Sequence, residues 1–499
     1  MSAPSVPVLH TFHGGLRLDG RKEASTSRPI QACPLPATLQ VPLGLHGGEA
    51  ADPCVAVGDT VRRGQRIAVA PGRGADIHAP ARAQVSAIGL HPEPQIHLSC
   101  LPSSASDPQD EWRMPALDPW QAAPNALLER IRAAGIVGLG GAGFPAAEKL
   151  SVRSALLILN GAECEPSIAC DDALLRERAE DVVLGGRLLA RLVGAERILL
   201  AVEDAMPQAS AACAAAVARV GEGQVTLVAV PTVYPEGGER QLIEVLTGRE
   251  VPRGGLPRDI GVLVHNVATA AAAWRAVVHG EALTHRVVTV AGSGVMQPGN
   301  FQVAIGTSVA HLIAQAGGYS ARAARLLLGG PMMGIAQPDD SVAIGKQTNC
   351  VLVLAAEEIR DAAEEMPCIR CGDCARACPA RLQPQQLLWH IRAQRLDRSE
   401  AEGVFDCIEC GCCDLVCPSH IPLTEQFRQA KTDIRIVAHK RADADAARER
   451  YERRNQRLQR ESDERALREA ERAKQASSGD AIAAALARAK AKRPPRDDA

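Results

Sequence analysis

Aromatic side chains are scarce in this chain of 499 residues, at 2%. Together with abundant Ala, Arg and Gly, that scarcity points to a GC-rich bacterial genome more than to a mechanism. An excess of one charge is also missing: the net charge is −2, so no global basic field draws the chain to nucleic acid. Long apolar runs do not occur. Stretches such as Val262–Val264 and Ala268–Trp274 fall far short of the roughly 20 residues that span a bilayer, so any membrane attachment is expected to go through partners. The segment Met1 to His10 has no basic-plus-apolar signal pattern, which implies a cytoplasmic chain. Sixteen cysteines would suggest disulfides in a small secreted protein, but half of them make up two short, regularly spaced motifs.

Those motifs are Cys368-x2-Cys371-x2-Cys374-x3-Cys378-Pro379 and Cys407-x2-Cys410-x2-Cys413-x3-Cys417-Pro418. Each has the bacterial ferredoxin spacing for a [4Fe–4S] cluster. Three cysteines at intervals of three wrap a tight loop round three iron corners, while the fourth, one residue further on and locked by proline, points to the other cluster. The expected assignment is crossed: Cys368, Cys371, Cys374 and Cys417 hold one cluster, and Cys378, Cys407, Cys410 and Cys413 hold the second. A zinc site or a disulfide framework also uses cysteine pairs. Zinc needs only two such pairs, leaves the third cysteine unexplained, and gives no reason for the repeated proline. Cys412 lies outside the pattern and is expected to be a buried small hydrophobe. The chain is therefore expected to move electrons.

A chain of this length is expected to hold several cores. Residues 1–124 are rich in Gly, Pro and short valine-bearing segments. There the Gly58-Asp59 and Gly64-Gln65 turns signal a hairpin within Val57–Ile67 and resemble the flattened barrel of biotinyl and lipoyl carriers. No lysine occurs between Lys22 and Lys149, so no swinging arm can be attached and the module reads as structural.

Residues 125–283 begin with a helix over Asn125–Ala134, closed by Gly135. Strand-like Ala155–Leu159, Ile198–Val202 and Val225–Val230 then alternate with helical Asp181–Leu192 and Pro207–Val220, the pattern of a parallel sheet covered by helices. Residues 284–345 suggest a β-grasp module, with strands Val287–Ala291 and Phe301–Ile305, a helix Ser308–Ala316 and a returning strand Leu326–Leu328. Residues 346–430 carry the two cysteine runs on an α-helical ferredoxin-like domain. Residues 431–499 form a charged helical or disordered tail. The fold class is multidomain α/β.

Between the first helix and the sheet lies Gly138-Leu139-Gly140-Gly141-Ala142-Gly143-Phe144-Pro145, dense enough in glycine for backbone N–H groups to approach a phosphate. It is not a Rossmann fingerprint, since a helix precedes it, and no Walker lysine follows. Asn160-Gly161-Ala162-Glu163-Cys164-Glu165-Pro166 places an amide and two carboxylates at the end of a predicted parallel strand, where ligands gather. Two further polar segments are Tyr234–Arg240 and His265–Thr269. Taken singly, each could be an ordinary polar loop.

In this order the four segments resemble the flavin- and NADH-binding subunit of respiratory NADH dehydrogenase. With the N-terminal module and the paired cysteine runs added, the chain resembles the C-type subunits of the Rnf-type, ion-translocating electron transport complexes over nearly its full length. Leu246-Thr247-Gly248-Arg249-Glu250-Val251-Pro252 is a further close match, while Ser167 replaces a usual aromatic residue and Ala268 a common glycine. The resemblance implies a noncovalent FMN held by Gly138, Gly140, Gly141, Gly143, Lys149, Asn160, Tyr234, Gly237, Glu239, Asn266 and Thr269, with Glu163 and Glu165 as the catalytic pair. It implies NAD(H) as substrate, two [4Fe–4S] clusters, and a peripheral place on the cytoplasmic face of the bacterial inner membrane. Implied partners are integral membrane subunits, a cluster-bearing subunit and a ferredoxin or similar redox protein. The rival expectation is a pure electron-transfer adaptor that keeps the flavin fold only as scaffold.

Overall fold

A computed structural model describes residues 8–44, 50–72, 74–89, 94–102, 110–359, 364–477 and 479–492. Most of Met1 to His10, on which the signal-peptide reading falls, lies outside them. The multidomain α/β class is observed. From the N-terminus come α1 (Glu23–Thr26), β1 (Gln31–Ala32), β2 (Thr38–Pro42), β3 (Asp52–Pro53), β4 (Thr60–Val61), β5 (Arg66–Val69), β6 (Ile77–His78), β7 (Ala83–Gly89) and β8 (Gln95–Cys100). Strands β2 to β8 form two small sheets, β2-β8-β7-β4 and β3-β5-β6, which bury Leu39, Val41, Val61, Ile67, Ile77, Val85, Ile96 and Leu98.

The hairpin expected within Val57–Ile67 is not formed. β4 pairs with β7, while β5 pairs with β3 and β6. The turn chemistry is present, with Gly58 at φ 97° and Gly64 at φ 84°, but the Gly64 turn hands the chain from one sheet to the other. Turn residues fix local direction; they do not choose the strand partner.

The next module contains α2 (Pro124–Ala133), α3 (Ala146–Lys149), β9 (Leu156–Gly161), α4 (Cys170–Val193), β10 (Arg197–Glu203), α5 (Pro207–Val220), β11 (Val225–Val230), α6 (Glu239–Thr247), β12 (Val262–Asn266) and α7 (Val267–Val278). Its strands read as near-continuous Val, Leu and Ile because a parallel sheet is buried on both faces. All neighbours in the order β11-β10-β9-β12 are parallel. α4 packs on α7 through Gly185, where an added Cβ would collide with the Ala270 carbonyl.

A six-stranded sheet follows, built from β13 (His285–Ala291), β14 (Gly299–Ala304), β15 (Ala323–Leu328), β16 (Ile335–Gln337) and β17 (Cys350–Ala355), with β1 added at its edge. Helix α8 (Val309–Gln315) buries Val309, Leu312 and Ile313 against Val288, Val290, Phe301, Val351 and Val353. The boundary expected after residue 345 therefore cuts this sheet, since β17 runs between β13 and β15.

The cysteine runs lie among α9 (Asp373–Ala377), α10 (Pro384–Arg392), α11 (Leu396–Ala401), α12 (Cys412–Leu415) and the first turns of α13 (Leu423–Ser477); α14 (Gly479–Ala491) ends the described chain. Leu423, Phe427, Ala430 and Ile434 of α13 close the core against Leu387, Leu388 and Val404. The boundary expected at residue 431 thus falls inside a helix whose first turns are buried. Among the described residues no helix is long and apolar enough to cross a membrane.

Candidate functional site

The winding of the parallel sheet reverses between β9 and β12, and in open α/β sheets ligands bind outside the carboxyl ends of the strands at such a point. Asn160 and Asn266 are register partners there. Asn160 donates from Nδ2 to the Gly237 carbonyl at 2.8 Å and accepts the Ala162 N–H at 3.0 Å. Asn266 caps α7 by accepting the Ala268 N–H at 2.9 Å, and its Nδ2 donates to Asp171 at 2.5 Å.

The glycine loop lies against this crevice. The Gly138 N–H donates to Phe144 O at 2.8 Å and the Gly143 N–H to Gly138 O at 3.2 Å, closing the loop. The Leu139 N–H donates to Thr269 Oγ1 at 2.9 Å, and Arg286 Nη2 donates to Leu139 O at 3.1 Å. Among the described residues, the N–H groups of Gly140, Gly141 and Ala142 make no intramolecular hydrogen bond. All three residues are exposed. Successive free N–H groups of this kind form an anion-binding concavity. Gly141 has φ 106°, and a Cβ on Gly140 would meet the Asn266 side chain at 3.3 Å. Pro145 caps α3 and does not occupy its first turn.

Lys149 and Glu239 form an ion pair, with both side chains partly exposed. His265 is buried beneath Lys149; burial first, and then the Lys149 charge, lowers its pKa to about 3, so the imidazole is neutral. Gly237 is a close-approach position, because a Cβ would strike the Ala162 carbonyl.

The two expected catalytic carboxylates are engaged elsewhere. Glu163 accepts the N–H groups of Asp171 (3.1 Å) and Asp172 (3.2 Å) at the start of α4, and the Cys170 thiol (3.2 Å). Glu165 accepts the N–H groups of Met332 (3.0 Å) and Met333 (2.8 Å), joining the six-stranded sheet to this module, and burial raises its pKa. Tyr234 turns away from the crevice: it is 2% exposed, and its hydroxyl donates to Cys410 O at 2.7 Å.

Sequence reasoning misses three other acids. Asp171 is raised to about 7 by burial and then by Glu163, Glu203 to about 7 by burial, and Glu236 to about 8 by burial and then by Glu203. Glu203 follows directly on a predicted parallel strand, which was the available signal.

The eight cysteines of the two motifs fall into two groups, each lining its own cavity. Cys368, Cys371, Cys374 and Cys417 line one cavity of about 210 Å³ with Ile369, Leu388 and Trp389. Cys378, Cys407, Cys410 and Cys413 line a second cavity beside Phe427. Both loops use the same backbone: Arg370 and Glu409 have φ 60° and 59°, Gly372 and Gly411 82° and 76°, Arg381 and His420 54° and 53°. Cys412 is fully buried.

Around a mononuclear tetrahedral zinc, with Zn–S about 2.3 Å, the sulfurs would stand only ~3.8 Å apart. Among the described residues, the trio of ligand atoms lying within 4.8 Å of one another is Glu163, Cys170 and Asp171. No three of the expected cluster cysteines form such a trio.

Four family models match the chain: the RnfC barrel sandwich hybrid domain over residues 10–101, the Nuo51 FMN-binding domain over 131–275, the SLBB domain over 287–336 and a 4Fe-4S dicluster domain over 365–421. The C-type subunit of the ion-translocating oxidoreductase complex of Pseudomonas aeruginosa is 50% identical over 470 residues, covering 92% of this chain and 60% of that relative. The protein of the same name in Salmonella gallinarum is 42% identical over 492 residues, covering 96% of this chain and 72% of that relative. The chain thus spans about 60% of the length of the first relative. A solved NAD+-reducing [NiFe]-hydrogenase in the H2-reduced state superposes with a TM-score of 0.45 and 24% identity over 64% of each chain, too distant to bear on function.

Proposed function

Because the chain belongs to the family of C-type subunits of ion-translocating oxidoreductase complexes, we propose that it passes electrons between NAD(H) and two [4Fe–4S] clusters by way of FMN. The observation that carries this reading is the pairing of two interlocked cysteine quartets with a free N–H nest at a sheet switch point. FMN, when bound, would convert between two-electron hydride transfer and single-electron transfer.

The chain's own residues would do the rest. The N–H groups of Gly140, Gly141 and Ala142 hold the phosphate, with Gly138 and Gly143 shaping the loop and Thr269 and Arg286 bracing it from behind. Asn160, Gly237 and Asn266 form the floor. The Lys149–Glu239 pair stands at the mouth, where the lysine gives an anion a cationic partner once the pair opens. Glu163 and Glu165 contribute by fixing the start of α4 and the Met332–Met333 loop around the flavin. Cys368, Cys371, Cys374 and Cys417 ligate one cluster, and Cys378, Cys407, Cys410 and Cys413 the other.

The relatives' names speak of a complex, and we place this chain as its peripheral member on the cytoplasmic face of the inner membrane. Integral membrane subunits would couple electron flow to ion movement, and a cluster-bearing subunit or a ferredoxin would exchange electrons with the clusters. The test is anaerobic reconstitution of the full chain with iron, sulfide and FMN. Stoichiometric flavin that NADH bleaches is expected. A sample that binds clusters but neither takes up FMN nor oxidises NADH would establish the adaptor reading instead.

A further inference from the structure

The two cysteine quartets are alike in backbone but not in surroundings. Three ligand carbonyls of the second quartet are held by side chains from outside its loops. His13 Nδ1, on the N-terminal strap, lies 2.9 Å from Cys378 O. Tyr234, from the flavin-type module, donates to Cys410 O at 2.7 Å. Lys431 of α13 donates to Cys407 O at 2.6 Å and to Glu409 Oε1 at 2.7 Å. The strap adds the Gly15 N–H donating to Ala377 O at 3.1 Å.

Among the described residues, the first quartet receives no such bond from another module. Its carbonyl at Cys371 accepts from Arg376 of the same loop at 3.3 Å. Equivalent positions also differ in charge. Arg370, the counterpart of Glu409, lies over the Trp389 ring at 5.2 Å, whereas Glu409 is bonded by Lys431 and by Arg428 at 3.0 Å.

Burial gives these contacts their weight. Tyr234 is 2% exposed and Lys431 5% exposed, and charge interactions strengthen away from water. Beside the second quartet the cations Lys431 and Arg428 face the carboxylates of Glu409 and of Asp414, which lies 3.7 Å from the Cys413 sulfur, and Lys431 is the buried cation that bonds a ligand carbonyl directly. Adding an electron to a cluster makes it more negative, so a neighbouring positive charge favours the reduced form; charge and hydrogen bonding around the sulfurs are known levers on cluster potential.

We propose that Tyr234 and Lys431 are positioning residues of the second quartet: Tyr234 fixes it against the flavin-type module as the relay between flavin and first quartet, and Lys431 raises its reduction potential. The inference rests on the cluster and flavin reading above. Each transfer removes one electron from the reduced flavin and adds one to the cluster, or the reverse, and no bond of Tyr234 or Lys431 forms or breaks.

The test uses the full chain, reconstituted anaerobically, with iron and acid-labile sulfide counted to show that both cages are present. Electron paramagnetic resonance follows a titration with dithionite and mediators, without NADH. Cys413→Ala identifies the signal of the second quartet by its loss. Lys431→Met is expected to weaken reduction of that signal about tenfold in its one-electron equilibrium, about 59 mV. The signal of the first quartet should stay in place, and Lys431→Arg should restore that of the second. Tyr234→Phe is expected to keep both clusters and slow their reduction by NADH at least tenfold, with dithionite reduction unchanged. Equal movement of both signals in Lys431→Met, or none, would overturn the Lys431 assignment. An unchanged NADH rate in Tyr234→Phe would overturn the relay. Failure of NADH to reduce the unaltered chain would sink the flavin reading and the relay together, while the dithionite titration would still decide Lys431.

Discussion

Gly141 combines φ 106° with open space where a Cβ would stand, so a side chain there meets backbone strain and no clash. Gly141→Asp would also set a carboxylate beside the free N–H groups of residues 140–142. We predict loss of FMN with an unchanged iron count, read from the visible spectrum; a variant that keeps full flavin would show that these N–H groups do not hold the phosphate. Asp171 supports a second prediction. Its pKa of about 7 in the folded chain lies above the ~3.9 of an unfolded aspartate. Between those values the folded chain binds more protons than the unfolded one, so stability falls as pH rises from about 4 to about 7 and then levels off. Asp171→Asn keeps an acceptor for Asn266 and removes the charge. We expect a gain on the order of 2 kcal/mol above pH 7 and little change near pH 4, read from urea midpoints; parallel pH profiles for the two chains would refute it. The glycines, Asn160 and Asn266 were legible in the sequence because they punctuate strand ends. The buried partnership of Asp171, and the turn of Tyr234 towards Cys410, depend on where distant elements pack, which no local pattern carries.

At the scale of elements, the glycine loop is held by a helix to which it is not covalently adjacent. The buried Leu139 N–H has Thr269 Oγ1 of α7 as its acceptor, and α7 is itself started by the Asn266 cap. Thr269→Val keeps the shape and removes the acceptor, leaving a buried donor unsatisfied at a cost of about 1–3 kcal/mol. The expected result is at least tenfold weaker FMN binding by titration, with little change in the circular dichroism of the sheet; undiminished affinity would mean that α7 does not set the loop. The strands of the parallel sheet were readable because burial on both faces writes continuous apolar runs. Strand β17 has an equally clear sequence, Cys-Val-Leu-Val-Leu-Ala, yet it lies beyond the helix and returning strand that completed the expected β-grasp unit. Its place between β13 and β15 is a matter of pairing over long sequence distance. The same reason separates the observed partners of β4 and β5 from the expected hairpin.

Across the whole molecule, the modules are laced together by segments that composition assigns to only one of them. The strap near residues 10–30 bonds Val245, Ala377 and Tyr234 in turn and sends Lys22 to the Glu163 carbonyl. Lys346 of the six-stranded sheet donates at 2.8 Å to both Asp76 O and Gly135 O, joining three modules at one buried ammonium. The charged tail is the opposite case. Beyond Ile434, α13 is almost wholly exposed, and its pairs such as Arg453–Glu449 and Arg457–Glu461 are spaced i,i+4 on that surface. Each is worth only about 0.3–0.5 kcal/mol. The charge pattern made this solvated stretch legible, but not its start, because the apolar stripe of Leu423, Phe427, Ala430 and Ile434 runs into the charged sequence without a break. Two truncations separate the parts. Ending the chain at His439 should leave cluster content and the unfolding midpoint of the remainder unchanged, with any loss of membrane retention assigning the tail to docking. Ending it at Ala430 removes Lys431 and Ile434, exposes the second quartet, and should yield a chain with fewer than half the irons of the full one. Equal iron in the two truncated chains would show that α13 does not close the cluster core.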